Sequence, residues 1–232
     1  MSDTSYLANR SRIETYFDRT AADAWARLTS TARVSGIRAT VRAGRDRMRA
    51  TLLGWLPGDL RGARLLDAGC GTGALAVEAT RRGASVVAID LSPTLVKLAG
   101  ERALADGVAG VDFRSGDMLD DGLGRFDHVV AMDSLIHYPL QQVVDALGRL
   151  APRAGRSIVF TFPPGNALLR TMIAVGRLFP RGDRAPFIQP LAEASLRAAI
   201  EAHPALAPFR IGRSVRIASG FYTSQAMELV RA

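Results

Sequence analysis

Between Arg64 and Phe162 short apolar runs alternate with longer amphipathic stretches, and that alternation leaves few folds open. Arg64–Leu66, Ser85–Ile89, Val111–Arg114, Phe126–Met132 and Arg156–Phe162 read as strands. Helices fall between them: Ala74 to about Arg82, a second after Asp90 with Ser92 as N-cap and Pro93 at N1, and a third opened by Pro139 and running to Leu150. Strands and helices alternating at these lengths specify an α/β chain with a parallel, doubly wound sheet. Ligands of such sheets bind at the carboxyl ends of the strands. Asp67, Asp90, Asp117 and the turn D-S-L-I-H (133–137) all fall there.

The first of these strand ends carries L-L-D-A-G-C-G-T-G, residues 65–73. Glycine is needed where backbone passes close to a ligand or takes a positive φ, and Gly69, Gly71 and Gly73 lead into a helix N-terminus. A dinucleotide site and an S-adenosylmethionine site share this layout. The acid decides between them. A carboxylate at Asp67 repels a pyrophosphate but suits a ligand bearing an ammonium and a sulfonium. Asp90 is placed to accept from ribose hydroxyls in either case. Asp117 offers an acceptor to an adenine amino group, with Met118 against the ring.

The flanks add a cap and a closing pair of strands. Residues 5–30 read as helical, with Tyr16, Phe17 and Trp25 as an aromatic group. A helix from Val34 to Leu56 places Ile37, Val41, Met48, Leu52 and Trp55 on one face, beside a stripe of Arg38, Arg42, Arg45 and Arg49. Guanidinium forks match carboxylates and phosphates. After Pro163-Pro164 the alternation stops. An apolar helix (Ala167–Phe179), a loop rich in Pro and Arg, and a helix near Leu191–Ala202 form a lid-like insert. Phe209–Ala218 and Gly220–Val230 then read as a hairpin adding an antiparallel edge. We therefore expect one domain over 1–232: an N-terminal arm (1–58), a core (59–162), a lid (163–208) and a strand pair (209–232).

The net charge is +8, from 30 Lys+Arg against 22 Asp+Glu, which favours an anionic partner without selecting one. No apolar run approaches the roughly 18 residues of a membrane span, and the N-terminus lacks a signal-peptide pattern, so a cytoplasmic location is expected. The single cysteine, Cys70, excludes an internal disulfide framework and a multi-cysteine zinc site. No protein-bound metal is expected.

D-A-G-C-G-T-G, V-V-A-I-D, S-G-D-M-L and F-D-H-V-V-A-M-D together resemble the class I S-adenosylmethionine-dependent methyltransferases. The resemblance implies a Rossmann-like, seven-stranded, mostly parallel sheet whose last strand is antiparallel. It also implies a donor site in which Asp67, Gly69, Gly71 and Gly73 border the methionine end. Asp90 and Leu91 would meet the ribose, Asp117 and Met118 the adenine, and Met132 and Tyr16 would complete the site. Methylation of exocyclic amines on nucleic acid usually comes with an Asn/Asp-Pro-Pro-aromatic turn after strand four. Cytosine C5 chemistry needs a cysteine outside the glycine loop. Neither is present, so no nucleic-acid substrate is expected.

Y-F-D…W-A-R-L, V-S-G-I-R-A-T-V-R-A-G-R-D-R-M and D-S-L-I-H-Y-P resemble the magnesium-protoporphyrin IX O-methyltransferase family over nearly the whole chain. This implies methyl transfer to a propionate of magnesium protoporphyrin IX in bacteriochlorophyll biosynthesis. It further implies contact with the magnesium chelatase and at most peripheral contact with the photosynthetic membrane. His137 would orient the propionate, and Arg38, Arg42 and Arg45 would hold substrate carboxylate. The family often has a tyrosine where this chain has Thr29, so no tyrosine role carries over there. Two alternatives keep the donor site: methylation of another small apolar acid or phenol, and a non-catalytic tetrapyrrole carrier.

Overall fold

Val86, Val87, Ile89, Val129, Val130, Ile158 and Val159 are β-branched and buried, and they form the middle of one sheet. The computed structural model describes residues 3–16, 18, 29, 36–165 and 188–232. The predicted helix Ala167–Phe179 and the aromatic residues Phe17 and Trp25 lie outside the described residues. Strands β1 (Arg64–Ala68), β2 (Ser85–Asp90), β3 (Val111–Ser115), β4 (Phe126–Ala131) and β5 (Ala154–Phe162) pair in parallel. With β6 (Phe209–Ser219) and β7 (Tyr222–Arg231) they form a seven-stranded sheet in the order β3-β2-β1-β4-β5-β7-β6. This is the expected α/β, doubly wound arrangement.

The terminal hairpin differs from expectation in one respect. The antiparallel strand is not the edge: β7 lies between β5 and β6 and runs antiparallel to both. Side-chain polarity explains the order. β7 buries Ala226, Met227 and Leu229, whereas β6 carries the exposed Arg210, Arg213 and Arg216, and charged edges resist stray pairing.

Alternation along the strands divides the core into two layers. Leu66, Ala68, Val129, Ala131, Ile158 and Phe160 belong to the layer containing α5 (Leu140–Leu150) and α6 (Glu193–Ala202). Leu65, Val86, Ala88, Val130 and Val159 belong to the opposite layer, with α2 (Gly36–Trp55) and α3 (Ala74–Arg81). Helix α4 (Pro93–Ala105) starts as expected, with Ser92 Oγ accepting from the Leu95 N–H at 3.2 Å. Helix α1 (Asp3–Thr15) enters the first layer through Tyr6.

Helix α2 buries less of its apolar face than its periodicity implies. Gly44, Met48, Leu52 and Leu53 are buried, but Ile37 is 59 % exposed. Its first turn lies beside the tip of the β6–β7 hairpin, where Gly220 meets Thr40, rather than over the sheet. Gly44 sits against the ring of Tyr222: a Cβ there would lie 2.5 Å from Tyr222 Cδ1. Helix propensity alone favours alanine over glycine by about 1 kcal/mol, while overpacking costs about 1–3 kcal/mol. Gly44→Ala is therefore expected to lower the melting temperature, because Tyr222 must move. Gly54→Ala, in the same helix with no atom within 4 Å of the added Cβ, is expected to raise it. Thermal unfolding of the two variants checks both signs.

Candidate active site

The loop after β1 is tied to β2: the N–H groups of Gly69 and Cys70 donate to the Ile89 carbonyl at 2.8 and 3.0 Å. Gly69 (φ 87°) is demanded by the turn after β4, since a Cβ there would lie 2.3 Å from Ser134 Cβ. Gly73, expected at the ligand, instead lets α3 start against Ala99 and Phe113, and it does not line the cavity described next. Gly71 does line it.

A cavity of about 460 Å³, in the size range of small-ligand sites, opens over these strand ends. From β1, β2 and their loops it is lined by Asp67, Gly69, Gly71, Asp90 and Leu91. Asp117 and Met118 line it after β3, and Met132 and His137 after β4. Nine of the ten donor-site and catalytic candidates other than Tyr16 are thus brought together, Gly73 being the one left out.

Asp67, Asp90 and Asp117 are the carboxylates of the donor end of the cavity. Asp67 is 1 % exposed, and its Oδ2 has no hydrogen-bond partner among the described residues. Burial, reinforced by the charge of Asp90, pushes its carboxyl up to about 7, against the N–H of Ala76. Asp90 Oδ2 accepts from Gly71 N–H at 2.8 Å and Oδ1 from Ser92 N–H at 3.0 Å. Burial raises its carboxyl too, while these N–H bonds pull it down. Ser134 Oγ, on a residue that also lines the cavity, is buried and lacks a partner among the described residues. Orphaned acceptors in a dry site call for a donor-bearing ligand, and one with a positive charge matches Asp67. The residues fit S-adenosylmethionine on those grounds.

Asp117 is held by residues that the sequence reading missed. Tyr6 Oη donates to Oδ1 at 2.8 Å, Leu119 N–H donates to the same oxygen at 2.9 Å, and Arg10 Nη1 reaches Oδ2 at 3.3 Å. Tyr6 stacks on Tyr138, with centroids 5.7 Å apart. Tyr6 and Arg10 are four residues apart on α1 and so share a face, which was the available signal. Asp18 Oδ1 accepts from Ser92 Oγ at 3.0 Å and from Thr94 N–H at 3.2 Å, beside the N-terminus of α4. Thr29 lines the cavity and receives Arg102 Nη1 on Oγ1 at 2.9 Å. Tyr16 is not among the lining residues; Ile13, about one turn earlier on α1, takes that place.

The arginine stripe is used unequally. Arg42 and Arg45 line the cavity, as do Asp46 and Arg49. Arg38 does not: it is exposed in the first turn of α2, about 10 Å along the axis from Arg45. Arg45 Nη1 pairs with Asp133 Oδ2 at 2.5 Å. The Asp133 carboxylate also accepts from Thr161 Oγ1 at 3.1 Å and from Tyr222 Oη at 3.2 Å.

A family model described as magnesium-protoporphyrin IX methyltransferase C-terminus matches residues 131–231, and one described as methyltransferase domain matches 65–153. The chain is 46 % identical over 226 residues to the magnesium-protoporphyrin O-methyltransferase of Rhodobacter capsulatus, covering 97 % of this chain and 98 % of that one. It is 29 % identical over 231 residues to the Synechocystis protein of the same name, again covering 97 % and 98 %. The crystal structure of magnesium protoporphyrin IX methyltransferase from Synechocystis with bound S-adenosylhomocysteine superposes with a TM-score of 0.85 at 28 % identity, covering 97 % of this chain and all of that one.

The Asp67 carboxyl titrates near 7 in the fold and near 3.9 in an unfolded chain. Between those values the folded chain keeps a proton that the unfolded chain has lost. Stability therefore falls as pH rises from about 4 to about 7, then levels. At pH 8, Asp67→Asn is expected to melt higher than wild type in the absence of ligand. Its affinity for S-adenosylhomocysteine should fall about tenfold or more, the worth of one hydrogen bond to a charged group. Calorimetry without ligand and by titration reads both; unchanged affinity would remove Asp67 from the ligand.

Proposed function

The chain belongs to the magnesium-protoporphyrin IX methyltransferase family, and we infer from this that it transfers a methyl group from S-adenosylmethionine to a propionate carboxylate of magnesium protoporphyrin IX. The observation that carries the reading is 46 % identity to the Rhodobacter capsulatus enzyme over the whole length of both chains. The cavity supports it by joining a donor site on β1–β3 to Arg42, Arg45 and His137.

S-adenosylmethionine supplies an electrophilic methyl group on a sulfonium. The acceptor carboxylate is ionised at pH 7 and needs no base. Its oxygen forms the new C–O bond as the C–S bond breaks, the electron pair leaves on sulfur, and no proton moves. What the protein contributes is position, which supplies up to about 7–11 kcal/mol of barrier reduction. In this reading Asp67 takes the donor's ammonium, Asp90 its ribose hydroxyls, and Asp117 with Met118 its adenine. Arg42 and Arg45 receive acceptor carboxylate, and His137 orients it.

Among the described residues no helix is long and apolar enough to cross a membrane. The exposed Phe221 at the hairpin tip and Ile37 on α2, joined where Gly220 meets Thr40, support peripheral contact with a membrane surface. Contact with the magnesium chelatase belongs to the same proposal and rests on family membership alone.

Purified protein given S-adenosylmethionine and magnesium protoporphyrin is expected to yield the monomethyl ester, identified by mass spectrometry. Binding of both without product would favour a carrier. Asp90→Ala is expected to abolish measurable donor binding. His137→Ala should lower kcat by about 10²-fold, the scale of a misplaced reactant, and leave donor affinity within about twofold. Loss of fold in His137→Ala without a separate kinetic defect would make this histidine a packing residue.

A further inference from the structure

Asp133 is built in a way its neighbours are not. Among the described residues it is the one non-glycine residue with positive φ, at 55°. Such a conformation is costly and persists where surroundings enforce it. Here they do: its N–H donates to Thr161 Oγ1 at 2.7 Å, and its carboxylate accepts from Thr161, Tyr222, Ser224 and Arg45. The donors come from β5, β7 and α2, so three separate elements converge on one side chain. The carboxylate is 6 % exposed and Arg45 is 18 % exposed, and both residues line the cavity that contains His137. Arg49, the next arginine of the stripe, is likewise matched by Asp46 at 3.0 Å and by Glu78 at 3.4 Å.

The reaction proposed above destroys charge. A carboxylate and a sulfonium become an ester and a thioether, both neutral. An uncompensated guanidinium against the acceptor carboxylate would stabilise the charged ground state more than the transition state, which slows the chemical step. It would also hold the acid more tightly than the ester. A guanidinium already paired with a carboxylate directs N–H bonds toward the acceptor but presents little net charge. We propose that Asp133 is a positioning residue that acts through Arg45: it fixes the guanidinium at the acceptor carboxylate and cancels its charge, so that the acid stays reactive and the ester is released. This rests on the carboxylate acceptor assigned above.

The test is a binding comparison combined with kinetics. Magnesium protoporphyrin IX and its dimethyl ester are titrated by absorbance against S-adenosylhomocysteine-loaded wild type and Asp133→Asn, and kcat and KM are measured for the acid. Asp133→Asn is expected to tighten acid binding and lower kcat, each by about tenfold, with ester affinity within about twofold of wild type. A merely structural Asp133 would shift the melting temperature and leave the acid-to-ester affinity ratio and kcat at wild-type values, which would overturn the proposal. Should Asp133→Asn not fold, Arg45→Met and Arg45→Lys decide. Arg45→Met is expected to lower acid affinity about tenfold while sparing the ester, and Arg45→Lys to restore discrimination. An unchanged ratio in Arg45→Met would equally overturn it. Failure of wild type to methylate the acid would strike the acceptor assignment instead, since the affinity ratio is read without turnover.

Discussion

Two acids at neighbouring strand ends, Asp67 buried on β1 and Asp90 half-buried on β2, set the terms for the rest of the fold. Each is disfavoured as a carboxylate by loss of water, and the charge of Asp90 adds to the cost of ionising Asp67. The chain holds them by spending local backbone on them. The loop after β1 turns its Gly71 N–H to Asp90, and the start of α4 adds the Ser92 N–H. Among the described residues Asp67 accepts from the Ala76 N–H near the start of α3 and keeps one oxygen unmatched. The site is thus unfinished without a cationic ligand, and the protein carries a standing loss of stability that such a ligand removes.

The same logic, with the sign reversed, holds on the acceptor side. Where the donor half leaves a negative charge unanswered, the other half answers positive charges with negative ones: Arg45 with Asp133, Arg49 with Asp46. The two halves match a reaction that begins with separated charges and ends with none. Nucleophile and donor need different treatment, and α2 and the β4 turn provide it on one side of a continuous cavity.

The sheet and its strand-end acids were legible because both follow from local signals. Alternating hydrophobicity marks strands, and topology puts Asp67, Asp90 and Asp117 where ligands bind. What escaped depends on side chains that meet across long sequence separation. Tyr6 and Arg10 reach Asp117 from more than a hundred positions away, and Arg45 meets Asp133 across 88. The arginine stripe of α2 fixed an angle around the helix but not a depth along it, so Arg38 was grouped with Arg42 and Arg45 although it stands beyond the cavity. Gly69 and Gly73 were both assigned to a ligand; Gly69 lines the cavity and is also required by Ser134, whereas Gly73 stands against Ala99 and Phe113, away from the cavity. A local pattern identifies a glycine that is needed; only the packed fold says what needs it.

The placement of β7 between β5 and β6 has a consequence for how the chain is made. During synthesis β6 leaves the ribosome before β7, yet among the described strands β7 is its sole partner in the sheet. Until β7 emerges, neither β6 nor the β5 edge has the neighbour that it pairs with among the described strands. The arginines along β6 then act as a safeguard during biogenesis, keeping an unpaired strand from docking on other nascent chains. Tyr222 and Ser224, which brace Asp133, lie on β7 and arrive with it. Completion of the sheet and completion of the acceptor site are therefore one event, set by the emergence of β7.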